Sequence, residues 1–274
     1  MLNFKIDAYK CIKCGQCATD CPVRIISFDP DTYPSISPEK ESFCMQCQHC
    51  LAICPTAALS ILDVNPDECV PVSEIPTAEQ VDALIRNRRS TRQFIQTDVA
   101  PEKINKLIKT VANAPTGKNV RNTTINIIDN IESMNIFVEK AISKLEELDE
   151  AGKLTGPHAF FSNVTKAYRT GTDIVFRGAP HLIVTSAPKT DPCPEADGFI
   201  NLAYIELMAT SMGLGVVWVG FVMHVLALVP ELKGDLGIPD DHVVSYALLL
   251  GEPSIKYHRG VIRDEIQVNR VTLK

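Results

Sequence analysis

The sequence predicts an α+β protein in two parts, a small N-terminal unit organised by cysteines and a larger domain of layered helices and strands. Three observations point there. Eight of the ten cysteines fall within the first 54 residues, in two copies of one spacing. Residues 63–79 then carry five acids and are punctuated by Pro66, Pro71 and Pro76. Beyond them, segments of helical periodicity interleave with short apolar runs, the pattern of a fold built in layers. With 274 residues, 45% of them hydrophobic, the chain can bury a sizeable core.

The first cysteine run, "CIKCGQCATDCP", places Cys11, Cys14, Cys17 and Cys21 ahead of Pro22. The second, "CMQCQHCLAICP", places Cys44, Cys47, Cys50 and Cys54 ahead of Pro55. Each reads C-x2-C-x2-C-x3-C-P, the bacterial ferredoxin run in which three cysteines hold one 4Fe–4S cluster and the fourth holds the other. On that pattern Cys11, Cys14, Cys17 and Cys54 bind one cluster, and Cys44, Cys47, Cys50 and Cys21 bind the second. A pair of zinc sites is the alternative, but zinc uses separated C-x2-C pairs and has no role for a third cysteine followed by C-P. His49, inside the second run, is expected beside a cluster rather than on it. Cys69 and Cys193 fall outside the pattern and read as unpaired thiols.

Residues 1–62 are thus expected to form a dicluster 4Fe–4S module, with a short strand before each run ("NFKID" and "DTYPSISPEKES") and a helical turn after it. So small a unit has little apolar core, and its clusters supply much of its folding energy. The proline-spaced stretch 63–79 is expected to be a stiff linker. The second domain is expected to occupy residues 80–274.

Charge and composition exclude some function classes. A net charge of −6 argues against general binding to nucleic acid or anionic membranes. The start, "MLNFKIDAYKC", has neither an apolar h-region nor a small-residue cleavage site. Without export, cysteines this dense are expected to be metal ligands rather than disulfides, because the cytosol keeps thiols reduced, and a cytoplasmic location is the default expectation. Residues 207–230 hold no Asp, Glu, Lys or Arg, which is long enough to span a bilayer. Gly213, Gly215 and Gly220 interrupt them, however, and Glu206 and Glu231 flank them in place of a cationic cluster. A buried helix, a turn and a core strand are expected there, and no membrane association.

In the second domain "TAEQVDALIRNR" has Val81, Leu84 and Ile85 at helical spacing behind Thr77 as N-cap. Pro101 suits the first turn of "PEKINKLIKTVANA", whose Ile104, Leu107, Ile108 and Val111 form a stripe. "TTINIID" and "HLIVTSA" read as strands, and "EKAISKLEELDEAGK" as an amphipathic helix. "EADGFINLAYIELMATSMGLG" is a long apolar helix stopped by Gly213, and "VVSYALLLG" is a buried strand.

Three stretches carry chemistry. "RNRRSTRQF" (86–94) sets four arginines beside Ser90 and Thr91, and guanidinium forks with hydroxyls suit a phosphate as well as a solvated face. "NAPTGKN" (113–119) closes a helix with Pro115 and Gly117, as a turn would. "MGLGVVWVGF" (212–221) offers Gly215 and Gly220 around the single tryptophan, where a flat group could lie on backbone or a helix could pack on a strand.

In this order and spacing, with "RGAP" (177–180) and "LLLGEPSIKYHR" (248–259), these stretches resemble the FMN-dependent nitroreductase family over about residues 80–265. A ferredoxin module ahead of such a domain resembles a subgroup of it. The resemblance implies a nitroreductase-like α/β/α flavin domain. It also implies FMN phosphate and ribityl contacts from Arg88, Arg89, Ser90 and Arg92, completed by Arg259 or, as second choice, Arg263. Pro115, Thr116 and Asn119 would lie near the flavin ring, often from the partner subunit, although "PTGKNVR" departs from the Ser-rich motif of many relatives. Backbone at Val219 and Gly220 would lie against the ring, one amide bonding its N5. Either Arg121 or Arg177 could raise the flavin potential. The family is a homodimer whose tail often crosses to the partner. Here "EIQVNRVTL" (265–273) alternates like an edge strand that could be swapped.

The two parts explain each other. Clusters pass single electrons and FMN delivers two, so the resemblance implies an oxidoreductase fed by an external donor, reduced ferredoxin or NAD(P)H, and reducing a small electrophile such as a nitroaromatic or quinone. No side-chain nucleophile is needed, and no catalytic residue is assigned. No Rossmann G-x-G-x-x-G is present, so a nicotinamide would bind only transiently over the flavin. The alternatives are a flavo-iron-sulfur electron carrier serving a partner protein, and a flavin-remodelling or dehalogenating relative.

Overall fold

The computed structural model describes residues 2–273. The chain divides into two compact units, Met1–Pro76 with Lys118–Val120, and Thr77–Gly117 with Arg121–Lys274.

In the first unit β1 (Lys5–Ile6), α1 (Gln16–Thr19), β2 (Ile26–Ser27), β3 (Ser35–Ile36), α2 (His49–Ala52) and β4 (Leu59–Ser60) follow in order. Strand β1 pairs antiparallel with β4, and β2 with β3. The two cysteine halves share their backbone as well as their sequence. Left-handed φ angles recur at matching positions, Lys13 with Gln46, Gly15 with Gln48 and Arg24 with Ala57. The helical turns lie inside the cysteine runs, not after them, because α1 contains Cys17 and α2 contains Cys50. The C-x3-C interval is about one helical turn, so the helix itself sets the distance from third to fourth cysteine. Leu2, Ile25, Ile26, Leu51, Leu59 and Ile61 pack with Cys17, Cys21 and Cys50 into a small core. The acidic stretch beyond it carries two short 3-10 turns, Pro66–Glu68 and Val72–Glu74, and leaves Val70, Val72 and Ile75 exposed.

The second unit opens with α3 (Ala78–Asn87). Thr77 caps it, accepting the Gln80 N–H (3.3 Å) while the Gln80 side chain accepts the Thr77 N–H (2.9 Å), a reciprocal pair that satisfies two orphan donors. Its apolar positions do not reach the core of this chain: Val81 and Ile85 are exposed and Leu84 half-exposed. Helix α4 (Pro101–Val111) buries Ile104, Leu107 and Val111 but leaves Ile108 exposed. There follow β5 (Thr124–Ile128), α5 (Ile131–Glu150), α6 (Phe160–Arg169), β6 (His181–Pro188), α7 (Pro194–Ser211), β7 (Gly215–Trp218), α8 (Gly220–Leu228), α9 (Glu231–Asp235) and β8 (His242–Gly251). Helix α5 begins well before the expected segment, because Asn130 caps it by accepting the Ser133 N–H (2.8 Å).

Strands β5, β6, β8 and β7 form one antiparallel sheet in that order. Side chains alternate between two buried faces. Leu182, Val184, Val217, Ala247 and Leu249 meet α5, α6 and α8, whereas Ile183, Val216, Leu248 and Leu250 meet α4 and α7. Burial on both faces explains the apolar runs Leu182–Val184 in β6 and Ala247–Leu250 in β8. Helix α7 approaches β8 closely enough that a Cβ at Gly198 would overlap Ser245. The uncharged stretch 207–230 is the end of α7, a turn at Gly213 (φ 78°), β7 and α8. Among the described residues no helix is long and apolar enough to cross a membrane. Residues 265–273 are exposed and form no strand within this chain, so the expected edge strand finds no pairing partner in it.

His181 is fully buried in β6, and its Nε2 accepts the Val99 N–H (2.8 Å) while Nδ1 has no partner among the described residues. Burial pushes its pKa below the usual 6.5, against a smaller opposing pull from Asp98. The native ring is therefore neutral and the unfolded one takes up a proton more readily. Stability from this group is complete above about pH 6.5 and is lost as pH falls below it. The unfolding midpoint should drop between pH 7.5 and 5.5 more steeply in the wild type than in His181→Gln. Parallel pH profiles would remove His181 as the cause.

Candidate functional site

In the first unit Cys11, Cys14, Cys17 and Cys54 line one small cavity, closed by Ile6, Pro34 and Leu59. Three thiols from the first run thus meet the last thiol of the second. The Ala58 N–H donates to Cys54 Sγ (3.2 Å), and the Gln46 N–H to Cys44 Sγ (3.4 Å). Burial raises the Cys17 thiol, with Cys54 and Cys14 nearby adding to the effect. Burial likewise pushes Cys50 up to about 12, with Cys47 and Cys44 contributing. Burial also raises Cys54, but the N–H groups of Ala58 and Thr56 outweigh it and hold the thiol below its usual value. Both sets are donors suited to iron, and the N–H bonds to sulfur favour the thiolate that a cluster needs. His49 Nδ1 stands 3.3 Å from Asp20 Oδ2, outside both cysteine sets. Among the described residues no three His, Cys, Asp or Glu groups stand close enough to hold a single metal ion.

In the second unit the arginine segment is held on the sheet. Ser90 bridges Val216 in parallel register, and the Thr91 N–H donates to the Val216 carbonyl (2.9 Å). The segment after β8 runs back along it: the Ile95 N–H donates to Glu252 O (2.8 Å), and the Ser254 N–H to Gln93 O (3.1 Å). Tyr257 Oη reaches Ser90 O (3.5 Å), and a Cβ at Gly260 would touch Asn87. Arg259 is thereby carried to the arginine segment, while Arg263 lies in the exposed tail. Arg88 Nη1 pairs with Glu206 Oε1 of α7 (2.8 Å), and Arg89 donates to the carbonyls of Arg88 and Arg86.

Beside this segment lies a cavity of about 320 Å3, whose lining includes Arg92, Arg177, Trp218, Gly220, Phe221 and His224. Asp173 pins the turn that presents Arg177, accepting N–H bonds from Phe176 (2.8 Å) and Gly178 (2.9 Å). The Val219 amide, expected at the ring, donates to Ala247 O (3.1 Å) and is spent. Gly220 begins α8, so its N–H has no intrahelical acceptor. A Cβ there would sit 2.8 Å from Tyr246 Oη. The glycine is thus required by the close approach of Tyr246, while two cations and a free amide at the cavity suit an anionic group such as FMN.

The "APTGKN" loop does not line this cavity. Gly117 N–H donates to both carboxylate oxygens of Asp197 (3.0 and 3.1 Å), and Thr116 Oγ1 accepts the Arg121 N–H (3.0 Å). Thr116 and Arg121 line a second cavity of about 330 Å3 with Ile108, Ile125 and Asn201. Pro115 is exposed. Lys118, Asn119 and Arg121 all have left-handed φ, and the Asn119 side chain donates to Met45 O (2.8 Å) within the first unit. The pairings of Arg88 with Glu206 and of Gly117 with Asp197 have no sequence signal, since each joins segments far apart in the chain.

A family model described as the nitroreductase family matches residues 85–252, and one described as a 4Fe–4S dicluster domain matches residues 10–58. Among solved structures, a nitroreductase with bound FMN from Desulfitobacterium hafniense is 22% identical with a TM-score of 0.57, covering 72% of this chain and 100% of its own. A nitroreductase with bound FMN from Bacteroides fragilis is 18% identical with a TM-score of 0.56, covering 70% and 99%. At these identities the likeness is one of fold. An uncharacterized ferredoxin of Methanocaldococcus jannaschii is 33% identical over 61 residues, 22% of this chain and 79% of its own. NADH-quinone oxidoreductase subunit I 2 of Symbiobacterium thermophilum is 35% identical over 81 residues, 25% of this chain, and the match spans only 34% of that subunit.

Proposed function

Since the chain belongs to the nitroreductase family and carries a 4Fe–4S dicluster domain ahead of it, we propose that it is an FMN-dependent oxidoreductase, fed through two 4Fe–4S clusters and reducing a small electrophile such as a nitroaromatic or quinone. The observation that carries this reading is the cavity where Arg92, Arg177 and the start of α8 converge. Bound FMN supplies the exchange between one-electron carriers and a two-electron reduction. The protein's part is placement and charge. Arg88, Arg89, Ser90, Arg92 and Arg259 grip the phosphate and ribityl chain, with Arg263 as a further cation. The Gly220 amide faces the ring, and Arg177 lends positive charge that favours the electron-rich flavin. Pro115, Thr116 and Asn119 serve a ring from across a dimer rather than the cavity of their own chain. The eight cysteines of the two runs hold the clusters, Cys54 and Cys21 as crossed ligands.

The dimer reading rests on apolar surface that this chain leaves uncovered: Val81 and Ile85 on α3, and Ile262, Ile266, Val268, Val271 and Leu273 on the tail. Such surface is expected to be buried against a second copy. Truncation after Asp264 should lower the mass measured by light scattering toward that of a monomer; an undiminished dimer would count against the swapped tail. Reduced thiol ligands suit the cytoplasm.

Stopped-flow reoxidation tests the activity. Protein reduced fully without oxygen is mixed with a nitroaromatic while flavin and cluster absorbances are followed separately. Fast flavin reoxidation with the clusters draining behind it is the expected result. If neither signal moves with small acceptors but both move with a protein oxidant, the chain is an electron carrier.

A further inference from the structure

We propose that His224 is a catalytic residue that delivers a proton to the acceptor and is resupplied from solvent through His158. The inference rests on the reductase reading above and adds to it the proton source, which neither cysteines nor arginines can supply.

Four observations carry it. His224 lies one helical turn beyond Gly220 on α8, and both residues line the cavity that also holds Arg92, Arg177 and Phe221. The His158 ring, on the 3-10 turn Gly156–His158, sits 5.9 Å from that of His224, centroid to centroid and tilted by 67°. At this separation the rings meet edge to face, near enough for a neighbouring water to pass a proton between them. Neither imidazole forms a side-chain hydrogen bond among the described residues, so the ring nitrogens of both are open to water or a ligand. His158 is half-buried at the edge of an exposed loop, and His224 is exposed to the cavity.

The wall around the pair is apolar. Phe160 stacks on Phe221 with centroids 5.4 Å apart, and Phe161 packs edgewise on Phe221 (6.3 Å) and against His224 (6.3 Å). An acceptor at the mouth of this cavity loses water on the side of this wall, and its oxygens need a donor there. The charged groups that face it, Arg92 and Arg177, are permanent cations that release no proton. The Tyr246 phenol packs against the backbone of Gly220 and is not among the residues that line the cavity. Histidine is the side-chain type that exchanges protons near neutrality.

The step balances as follows. Two-electron reduction of a quinone forms two O–H bonds, and that of a nitro group forms a nitroso group and one water; each consumes two electrons and two protons. The electrons are those of the external donor in the proposed function, and bound FMN would supply their transfer as a pair. For one of the protons, an N–H bond of the His224 imidazolium breaks and an O–H bond forms on the acceptor. The neutral imidazole left behind takes a proton from His158, which takes one from solvent. The second proton comes from solvent directly.

The test compares acceptors that differ in their need for protons. Ferricyanide takes one electron and no proton. In His224→Ala holoprotein the ratio of nitroaromatic to ferricyanide turnover should fall about 100-fold, the usual scale of a lost general acid, and millimolar imidazole should restore part of it. His158→Ala should lower the ratio less. A second readout needs no turnover. In oxidised protein with histidine ring carbons labelled, titration with 4-nitrobenzoate should shift the resonances of His158 and His224 and leave the other four of the six histidines still. A wild type that reduces nitroaromatics, with His224→Ala showing the same ratio and resonances that do not move, overturns the proton assignment alone. A wild type that reduces ferricyanide but no nitroaromatic or quinone overturns the reductase reading and this inference with it.

Discussion

Replacing Cys54 with serine should remove the cluster of the first cysteine run, and with it about half of the bound iron, leaving the cluster of Cys44, Cys47 and Cys50 in place. The reason lies in the cavity: Cys54 lines it beside Cys11, Cys14 and Cys17, although it is the final cysteine of the other run. Its thiol is also held below its usual value by the N–H groups of Ala58 and Thr56, which favours the thiolate. The effect is large because the unit has few apolar side chains to fall back on, and cluster binding is part of its folding energy. Iron and acid-labile sulfide analysis, with electron paramagnetic resonance of the reduced protein, reads the outcome. Cys21→Ser should give the mirror result, with only the first cluster retained. If Cys54→Ser instead spares the first cluster and destroys the second, each run ligates its own cluster and the crossed assignment fails.

That site was legible because its information is local. Three of each cluster's four expected ligands come from one tight loop, and loops of one spacing leave a repeat in the sequence, which the left-handed positions of Lys13 and Gln46 repeat in the backbone. The sheet was legible for a similar reason, because strands buried on both faces have to be apolar throughout. Other parts were hidden. Nothing in the pattern announces α6, where Ser162, Asn163 and Lys166 dilute the apolar period of Phe161 and Val164. The start of α5 follows β5 after only two residues, so strand and helix run together with only Asp129 and the Asn130 cap between them. The exposed apolar face of α3 reads as a core helix because periodicity reports that a face is covered, not by which chain. The second cavity-bearing site is assembled from distant segments, 92, 174–177, 217–224 and 249, and His158 reaches His224 only through the fold. Sequence resemblance could name Val219 and Gly220 together, but hydrogen bonding separates them, since only the Val219 amide is spent on the sheet.

Removing the Ser90 hydroxyl and the Arg88 guanidinium should strip FMN from the protein and leave both clusters intact. Each charge-assisted hydrogen bond to a phosphate contributes about 1.5–3 kcal/mol, so each loss should weaken flavin binding roughly 10- to 100-fold. The two variants are not equivalent. Ser90 is fixed through its backbone, by its bridge to Val216, so Ser90→Ala changes the hydroxyl and little else. Arg88 has a second partner, because its guanidinium also neutralises Glu206, whose side chain is only 11% exposed. Arg88→Ala therefore leaves a carboxylate largely out of water with no cation, at a cost of about 3 kcal/mol of folding stability, the low end for a broken buried pair since Arg88 is itself partly solvated. Stability and flavin loss must be separated, and Arg88→Ala with Glu206→Gln does so. The double variant removes the stranded charge and should recover most of the unfolding midpoint while still eluting from a desalting column without flavin. Absorbance and iron content of the eluate measure FMN and clusters per chain. If the double variant regains both its midpoint and its FMN, Arg88 serves the Glu206 pair alone, and the phosphate belongs to Ser90, Arg92 and Arg259.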